Sequence, residues 1–543
     1  MYNNEYKRYE HICSVVKQID SIAVQYDLDR EKCRIAAMLH DISTLMSWED
    51  MLPFAKSNNW ELCEAEEAHP FLLHQRISEV IAREDFGITD CDVLDAIAFH
   101  TSLCANASPY QMALFIADKL EWSRGDIPPY YEKMSKALDV SLEASCYEYV
   151  KYMENEGKMS GVHVEWAKAV GWLKTLVDFD YLYNALKLHP SFSRNKEIAD
   201  FEKLYKKLRE SIVDYAAFIN AMTELATFFE DGHTNIEIPY TRQDYCLRLP
   251  CEWQNNSLIL KEDYEDIKAG TEIIAIEGQS VEQILEWSAK RIPHENIFLV
   301  KSRMIEYPYM NYHIFSKMNL TQLFEDKQVF EIDFLVEGTK RTKQCVLTRY
   351  DGFLDFSEGN SVYYEIQDDK AVLHLDECIY DKQYTDTLNE LAILCNEKDI
   401  KMLEIDLSKN MGGSSAVIDE LIKYVDVDSY RRYEMIDYSS GNPRIVTSRV
   451  DIIPNPKKDV LFPCKIVCRV SNTTFSSART FAVTLKDNGI ATIIGQPTGG
   501  KPCSYGMPRR DVTPNCNIKF RVSRALFLRP DDKLDEKIAL FPN

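Results

Sequence analysis

Two groups of residues in this 543-residue chain could do chemistry. The first is a set of imidazoles and carboxylates in the N-terminal third: His11, His40, Asp41, His74, His100 and Asp118. A single helical histidine is ordinarily structural. Groups of this kind recurring on successive helical segments can project into one bundle core and hold one or two hard or borderline metal ions. The second group centres on Ser476, which follows the strand-like KIVCRVS and opens the helical segment SSARTFAVTLKD. A hydroxyl there meets free backbone N–H groups and the positive end of the helix dipole, which can hold developing negative charge. Taken alone, the same serine reads more readily as an N-cap. Upstream, Gly412-Gly413 interrupt the passage from strand to helix, so bare N–H groups can face a ligand and serve as an oxyanion hole.

Different elements must position the two groups. From Tyr2 to about Leu176, apolar residues recur at three- and four-residue spacing, as in EHICSVVKQIDSIAVQY and EKCRIAAMLHDI, which predicts an all-α bundle. In that bundle His11 opens the first helix and His40-Asp41 end the second, while His74, His100 and Asp118 lie on later helices. A helical lead-in, FEKLYKKLRESI and YAAFINAMTELATFFE, then runs to Asp231-Gly232-His233-Thr234, where Asp-Gly signals a turn. A β-rich region starts near Ile236. Strands VYYEI, AVLHLDE, MLEIDL, KIVCRVS and IATIIG then alternate with helices near Tyr384–Glu397, from about Ser415 and from Ser476, the pattern of an α/β core. The boundaries expected are 1–175, 176–240, 241–350 and 351–543, with the main join between Trp172 and Asp180 and no Gly/Ser-rich linker there.

The N-terminal order resembles the HD-domain phosphohydrolases, and more closely the YqeK type, which cleaves diadenosine tetraphosphate symmetrically. RYEH (from Arg8), AAMLHDI (from Ala36), LLHQRISEVIAREDFGI (from Leu72), DAIAFHT (from Asp95) and ADKLEWSR (from Ala117) carry the resemblance. It implies that His11, His40, Asp41, His74, His100 and Asp118 are ligands of a metal centre, di-iron first and Mn or Zn as alternatives. It also implies that Glu121 and Arg124 lie at the nucleotide. Ser102-Leu103 depart from the family's Thr-Gly, which bears on substrate more than on metal.

The C-terminal part, from about Asp178, is similar to the tail-specific, or C-terminal processing, serine peptidases and their tricorn-like relatives. IDLSKNMGG and TTFSSARTFAVTLKDNGIATIIGQPTGGKP carry this, together with LHPSF, Asp231-Gly232-His233-Thr234 and the PDZ-like GTEIIAIEGQSVEQIL. The resemblance implies a crotonase/ClpP-like core, Ser476 as nucleophile with Ser477 a weaker alternative, and an oxyanion hole at Gly413 and Ser477. Ser476 precedes Lys501 by 25 positions, the spacing of the Ser/Lys members. Two bases therefore stay open: Lys501, which burial must render neutral near neutral pH, and His233, as in the tricorn-like relatives. Asp532, Asp535 and Glu536 are acidic partners for His233 by position only. Ser408 stands where the family has arginine.

Composition narrows the classes. A formal net charge of −23 and the lack of basic runs exclude a nucleic-acid backbone as the main partner. No signal-like or membrane-spanning apolar run occurs, which predicts a cytoplasmic protein. The 15 cysteines form no CxxC pair and read as reduced core residues. The expected partners are a peptide or protein and a dinucleoside polyphosphate-like nucleotide. The alternatives are a peptidase half that only binds peptides beside an active HD half, and an HD half that senses a nucleotide and gates proteolysis.

Overall fold

The computed structural model describes residues 2–121, 127–159, 161–192, 198–237, 245–305, 314–349, 360–534 and 536–543. The chain divides into two compact units. The first comprises Met1–Tyr181 with Lys207–Phe218 and Pro514–Cys516; the second takes Leu182–Lys206, Ile219–Thr513 and Asn517–Asn543. The expected join falls inside one continuous helix, Val164–Leu186, because VEWAKAVGWLKTLVDFDYLYNAL contains no breaker other than one glycine. No helix among the described residues is long and apolar enough to cross a membrane.

The first unit is helical. Asp29 and Asp90 cap the helices Arg30–Leu39 and Cys91–Phe99 by accepting from backbone N–H groups of their first turns. Ser108 and Gln111 form a reciprocal capping box that starts Pro109–Leu120, with proline at the first helical position. That helix buries Gln111 through Ala117 without a break, so it is a central helix, enclosed on every side. The first helix runs Tyr2–Gln25, which corrects one expectation: His11 lies in its interior, not at its start, since nothing in the preceding sequence breaks the helix.

In the second unit, strands Lys370–Leu375, Met402–Asp406, Lys465–Val470 and Ala491–Gly495 pair parallel in that order, and Val362–Gln367 adds an antiparallel edge. Helices Lys382–Glu397 and Ser476–Asp487 connect parallel strands, and Tyr384, Phe481, Leu403, Ile405 and Cys468 fill the core. The register sets Asp406 beside Arg469, so the glycine pair and Ser476 both emerge beyond the carboxyl ends of neighbouring strands. Open parallel sheets place their sites at such ends.

A separate antiparallel sheet packs Cys251–Gln254, Ser257–Leu260, Glu272–Ile276, Val329–Val336 and Thr339–Val346, with helix Val281–Ala289 following the short strand Gln279–Ser280. Its turns Glu277-Gly278 and Glu337-Gly338 hold both residues at positive φ, the two-residue hairpin geometry that suits strand twist. A third sheet, in the order Arg444–Thr447, Glu434–Asp437, Ala525–Leu528, Ser504–Gly506, walls the cleft described next.

Candidate functional site

In the second unit the turn between Val470 and Ser476 is knitted by side chains. Thr474 Oγ1 accepts from Ser471 N–H at 2.9 Å and donates to the carbonyl of Leu407 at 2.8 Å, while Phe475 N–H donates to the carbonyl of Asn410 at 3.2 Å. The turn delivers Ser476 with φ of +53°, a strained value for a non-glycine residue. Asn410, fully buried, donates to the carbonyl of Leu375 at 2.7 Å and accepts from Gly412 N–H at 2.8 Å, fixing the opposing loop. Both glycines of that loop are required. A Cβ on Gly412 (φ +114°) would lie 2.6 Å from Ser476 Cβ, and one on Gly413 (φ +134°) 2.4 Å from the carbonyl oxygen of Cys378. Ser477 Oγ donates to the Gly413 carbonyl at 2.7 Å, which ties the two loops together. Among the described residues no acceptor meets the N–H of Gly413 or of Ser477.

His233 Nε2 lies 2.9 Å from Ser476 Oγ. The strand Asn235–Glu237, paired with Lys519–Val522, anchors the turn that carries it, and its ring lies 4.6 Å from that of Phe475. Behind it stand two buried carboxylates: Asp231 Oδ1 at 3.5 Å and Glu295 Oε1 at 3.6 Å from Nδ1. Asp231 is otherwise committed, accepting from His233 N–H at 2.9 Å and Thr234 Oγ1 at 2.7 Å and meeting His189 Nε2 at 3.2 Å. Among the described residues neither Glu295 Oε1 nor His233 Nδ1 has a hydrogen-bond partner, so the two face each other as an ion pair. Burial opposes charging His233, but Asp231 and Glu295 outweigh it and raise its pKa above the ordinary imidazole value.

Lys501, the other expected base, is directed elsewhere. Its Nζ pairs with Glu230 at 2.8 Å, and its backbone N–H donates to Glu295 Oε2 at 2.7 Å. Of the acids expected by position, Glu536 pairs with Lys486 at 2.7 Å and Arg529 at 3.2 Å, Asp532 pairs with Arg449 at 3.7 Å, and Asp535 lies outside the described residues. Sequence reasoning missed Glu295, Asp231 and His189 as neighbours of the reacting pair. Asp231 and His189 lay in motifs already singled out, whereas nothing around Glu295 marked it. The pair opens on a cleft of about 600 Å³ that Met435, Thr447, Arg479, Tyr505 and Phe527 help to line.

In the first unit the expected ligands come together. Asp41 is ringed by imidazoles: the Nε2 atoms of His74, His100, His11 and His40 lie 3.5, 3.6, 3.9 and 3.9 Å from its carboxylate oxygens. Asp118 Oδ1 is 3.4 Å from His11 Nε2 and 3.9 Å from His40 Nε2. Each ring is aimed from behind. His40, His74 and His100 donate from Nδ1 to the carbonyls of Ala37, Phe71 and Ile97, three residues back, at 2.8, 2.6 and 2.8 Å. His11 Nδ1 donates to Glu121 at 2.7 Å. Glu121, expected at the nucleotide, is buried and serves this ring; Arg124 lies outside the described residues.

With the Nδ1 protons committed, every Nε2 presents a lone pair inward. His74 and His100 Nε2 stand 3.1 Å apart, and buried His40 Nε2 has no hydrogen-bond partner among the described residues. Lone pairs so arranged suit a cation between them, and the donor set fits Fe, Mn or Zn. Burial pushes His74 down to about 4 and lowers His40 as well, so both are neutral donors near pH 7. Burial opposes ionising Asp118, but Lys119 at 2.8 Å and His11 hold its carboxyl well below the usual range.

Fold and site together define a two-part hydrolase, a helical His/Asp centre and a Ser-His α/β domain. Residues 8–123 match the HD domain family model and residues 369–534 that of peptidase family S41. The N-terminal part is 32% identical over 130 residues to an uncharacterized protein in the pepC 5′ region of Lactococcus lactis subsp. cremoris, covering 24% of this chain and 67% of that protein. It is 30% identical over 149 residues to the symmetrical bis(5′-nucleosyl)-tetraphosphatase of Staphylococcus aureus, covering 27% of this chain and 74% of that enzyme. The C-terminal part shares its fold with mature CPAF: TM-score 0.53 at 14% identity, over 68% of this chain and 92% of the other. The chain belongs to the HD domain family through its N-terminal part, and its C-terminal part carries the match to the model of peptidase family S41.

Proposed function

We propose that the protein is a bifunctional hydrolase in which Ser476 and His233 cleave peptide bonds and the His/Asp centre cleaves a nucleotide of the dinucleoside tetraphosphate class. The observation that carries the peptidase reading is the 2.9 Å contact between His233 Nε2 and Ser476 Oγ, made across 243 positions of sequence. As Oγ attacks the peptide carbonyl carbon, its proton passes to Nε2. The N–H groups of Gly413 and Ser477 receive the oxyanion. Collapse breaks the C–N bond, the leaving amine takes the proton from Nε2, and a water activated by the same imidazole hydrolyses the acyl-enzyme. Glu295 and Asp231 face Nδ1 and stabilise the transient imidazolium. The antiparallel module, with its strand-turn-helix at Glu272–Ala289, is the part we assign to peptide docking by strand addition.

In the HD domain, His11, His40, Asp41, His74, His100 and Asp118 would hold the metal, with iron the first choice. Bound there, a divalent metal supplies Lewis-acid polarisation of a phosphoryl group and acidifies a water nucleophile. The protein's own contribution is orientation: each imidazole is aimed by its Nδ1 bond, and Lys119 keeps Asp118 ionised. Labelling by a serine-reactive phosphonate, lost in Ser476→Ala, tests the first activity. Nucleotide hydrolysis by the purified holoprotein, with its metal content measured, tests the second.

A further inference from the structure

The floor of the peptidase cleft carries a buried cation that, among the described residues, forms no ion pair. Arg479 lies three residues beyond Ser476 on the same helix, a spacing that puts both side chains on one face. It is 2% exposed, yet its partners are all neutral: Nη1 donates to the carbonyl of Pro502 at 2.8 Å and the hydroxyl of Tyr433 at 3.4 Å, and Nη2 to Ser504 Oγ at 2.6 Å. Among the described residues no carboxylate forms an ion pair with it. Nearby Arg529, equally buried, is held by Asp487 at 2.5 Å and Glu536 at 3.2 Å. A buried guanidinium without an anion bears a desolvation cost that an incoming carboxylate would offset. Its Nε–H is a buried donor with no acceptor among the described residues. Arg479, Ser504 and Tyr433 all line the cleft with Ser476.

The geometry points to Arg479 as a specificity determinant that receives the side-chain carboxylate of a glutamate or aspartate in the substrate, at the residue whose carbonyl Ser476 attacks. This rests on the peptidase reading above. Nη2 has a second proton to offer, and Ser504 Oγ, which accepts from Arg479, keeps its own proton to donate to the same carboxylate. The acid on the cleft wall does not repel the ligand, because Asp419 is engaged by Arg432 at 2.9 Å and by the Tyr430 hydroxyl at 2.6 Å.

The test compares kcat/KM for two peptides that differ only in Glu or Gln at that residue, in the full-length protein. The ratio is taken within one preparation, so it does not depend on the folded fraction. Wild type should prefer Glu by roughly tenfold or more, the worth of a charge-assisted hydrogen bond. Arg479→Met should bring the ratio near one, Arg479→Lys should keep part of it, and Ser504→Ala should narrow it. A wild-type ratio near one, or a preference that survives Arg479→Met, overturns the assignment while phosphonate labelling of Ser476 still supports the peptidase. Absence of both labelling and cleavage overturns the peptidase reading and this subsite with it.

Discussion

The two sites are assembled by opposite routes. In the HD domain His40, His74 and His100 each take aim from a carbonyl three residues earlier in their own helical segment, so sequence and ring orientation are local properties of one another. In the peptidase domain the reacting serine and histidine are 243 positions apart, and the carboxylates behind the histidine come from Asp231 and from Glu295, a residue of the segment between two helices of the β-rich module. In the first kind of site these three ligands carry their own support, whereas His11 leans on Glu121, 110 positions away. The second depends on loops meeting, through Lys501 N–H to Glu295 and Asn296 Nδ2 to the carbonyl of Thr498 at 3.1 Å, and changes at those loops should be felt at the active site.

Variants can break this contrast in graded ways. Ser476→Ala should lower peptide hydrolysis by at least about a thousandfold, measured as turnover of a fluorogenic peptide, and leave nucleotide hydrolysis within about twofold. Conversely, Asp41→Ala should remove the bound metal, read by plasma emission spectroscopy, and cost nucleotide hydrolysis on the order of a hundredfold or more while peptide turnover persists. Glu295→Gln comes next, at roughly ten- to a hundredfold in kcat. It should also move the pH profile in a definite direction. His233 acts as a base only when neutral, and its raised pKa means that activity falls as pH drops through that value. Removing one of the two anions that raise it lowers the pKa, so the acid limb should shift to lower pH even as the plateau falls. An unchanged limb in Glu295→Gln would assign the anionic support to Asp231 alone. Glu121→Gln should be the mildest, reducing metal affinity by roughly tenfold through a less well-held His11, as read by competition with a chelator.

This contrast also explains what the sequence disclosed. KIVCRVS, SSARTFAVTLKD and IATIIG become Lys465–Val470, Ser476–Asp487 and Ala491–Gly495, because apolar runs and breakers set those elements locally. The His/Asp spacing was legible for the same reason. The start of the first helix was not, since Tyr2–Gln25 has no sequence feature that marks where helix begins before His11. Nor was Glu295: a lone glutamate in IPHENIF carries no sign that folding will bring it to His233, and two of the acids expected there, Asp532 and Glu536, are held by Arg449, Lys486 and Arg529 instead. Lys501 illustrates the limit of spacing alone. Its place in the sequence suits a base, but its backbone, not its amine, reaches the histidine's carboxylate.

The measurement that reaches furthest into the account is the rate of phosphonate labelling at Ser476 in wild type, His233→Ala and Lys501→Met, taken side by side across pH. Labelling in Lys501→Met should stay within about a fewfold of wild type, and labelling in His233→Ala should fall by at least about a hundredfold. The reverse order, with Lys501→Met inert and His233→Ala reactive, would contradict the pairing of Ser476 with His233.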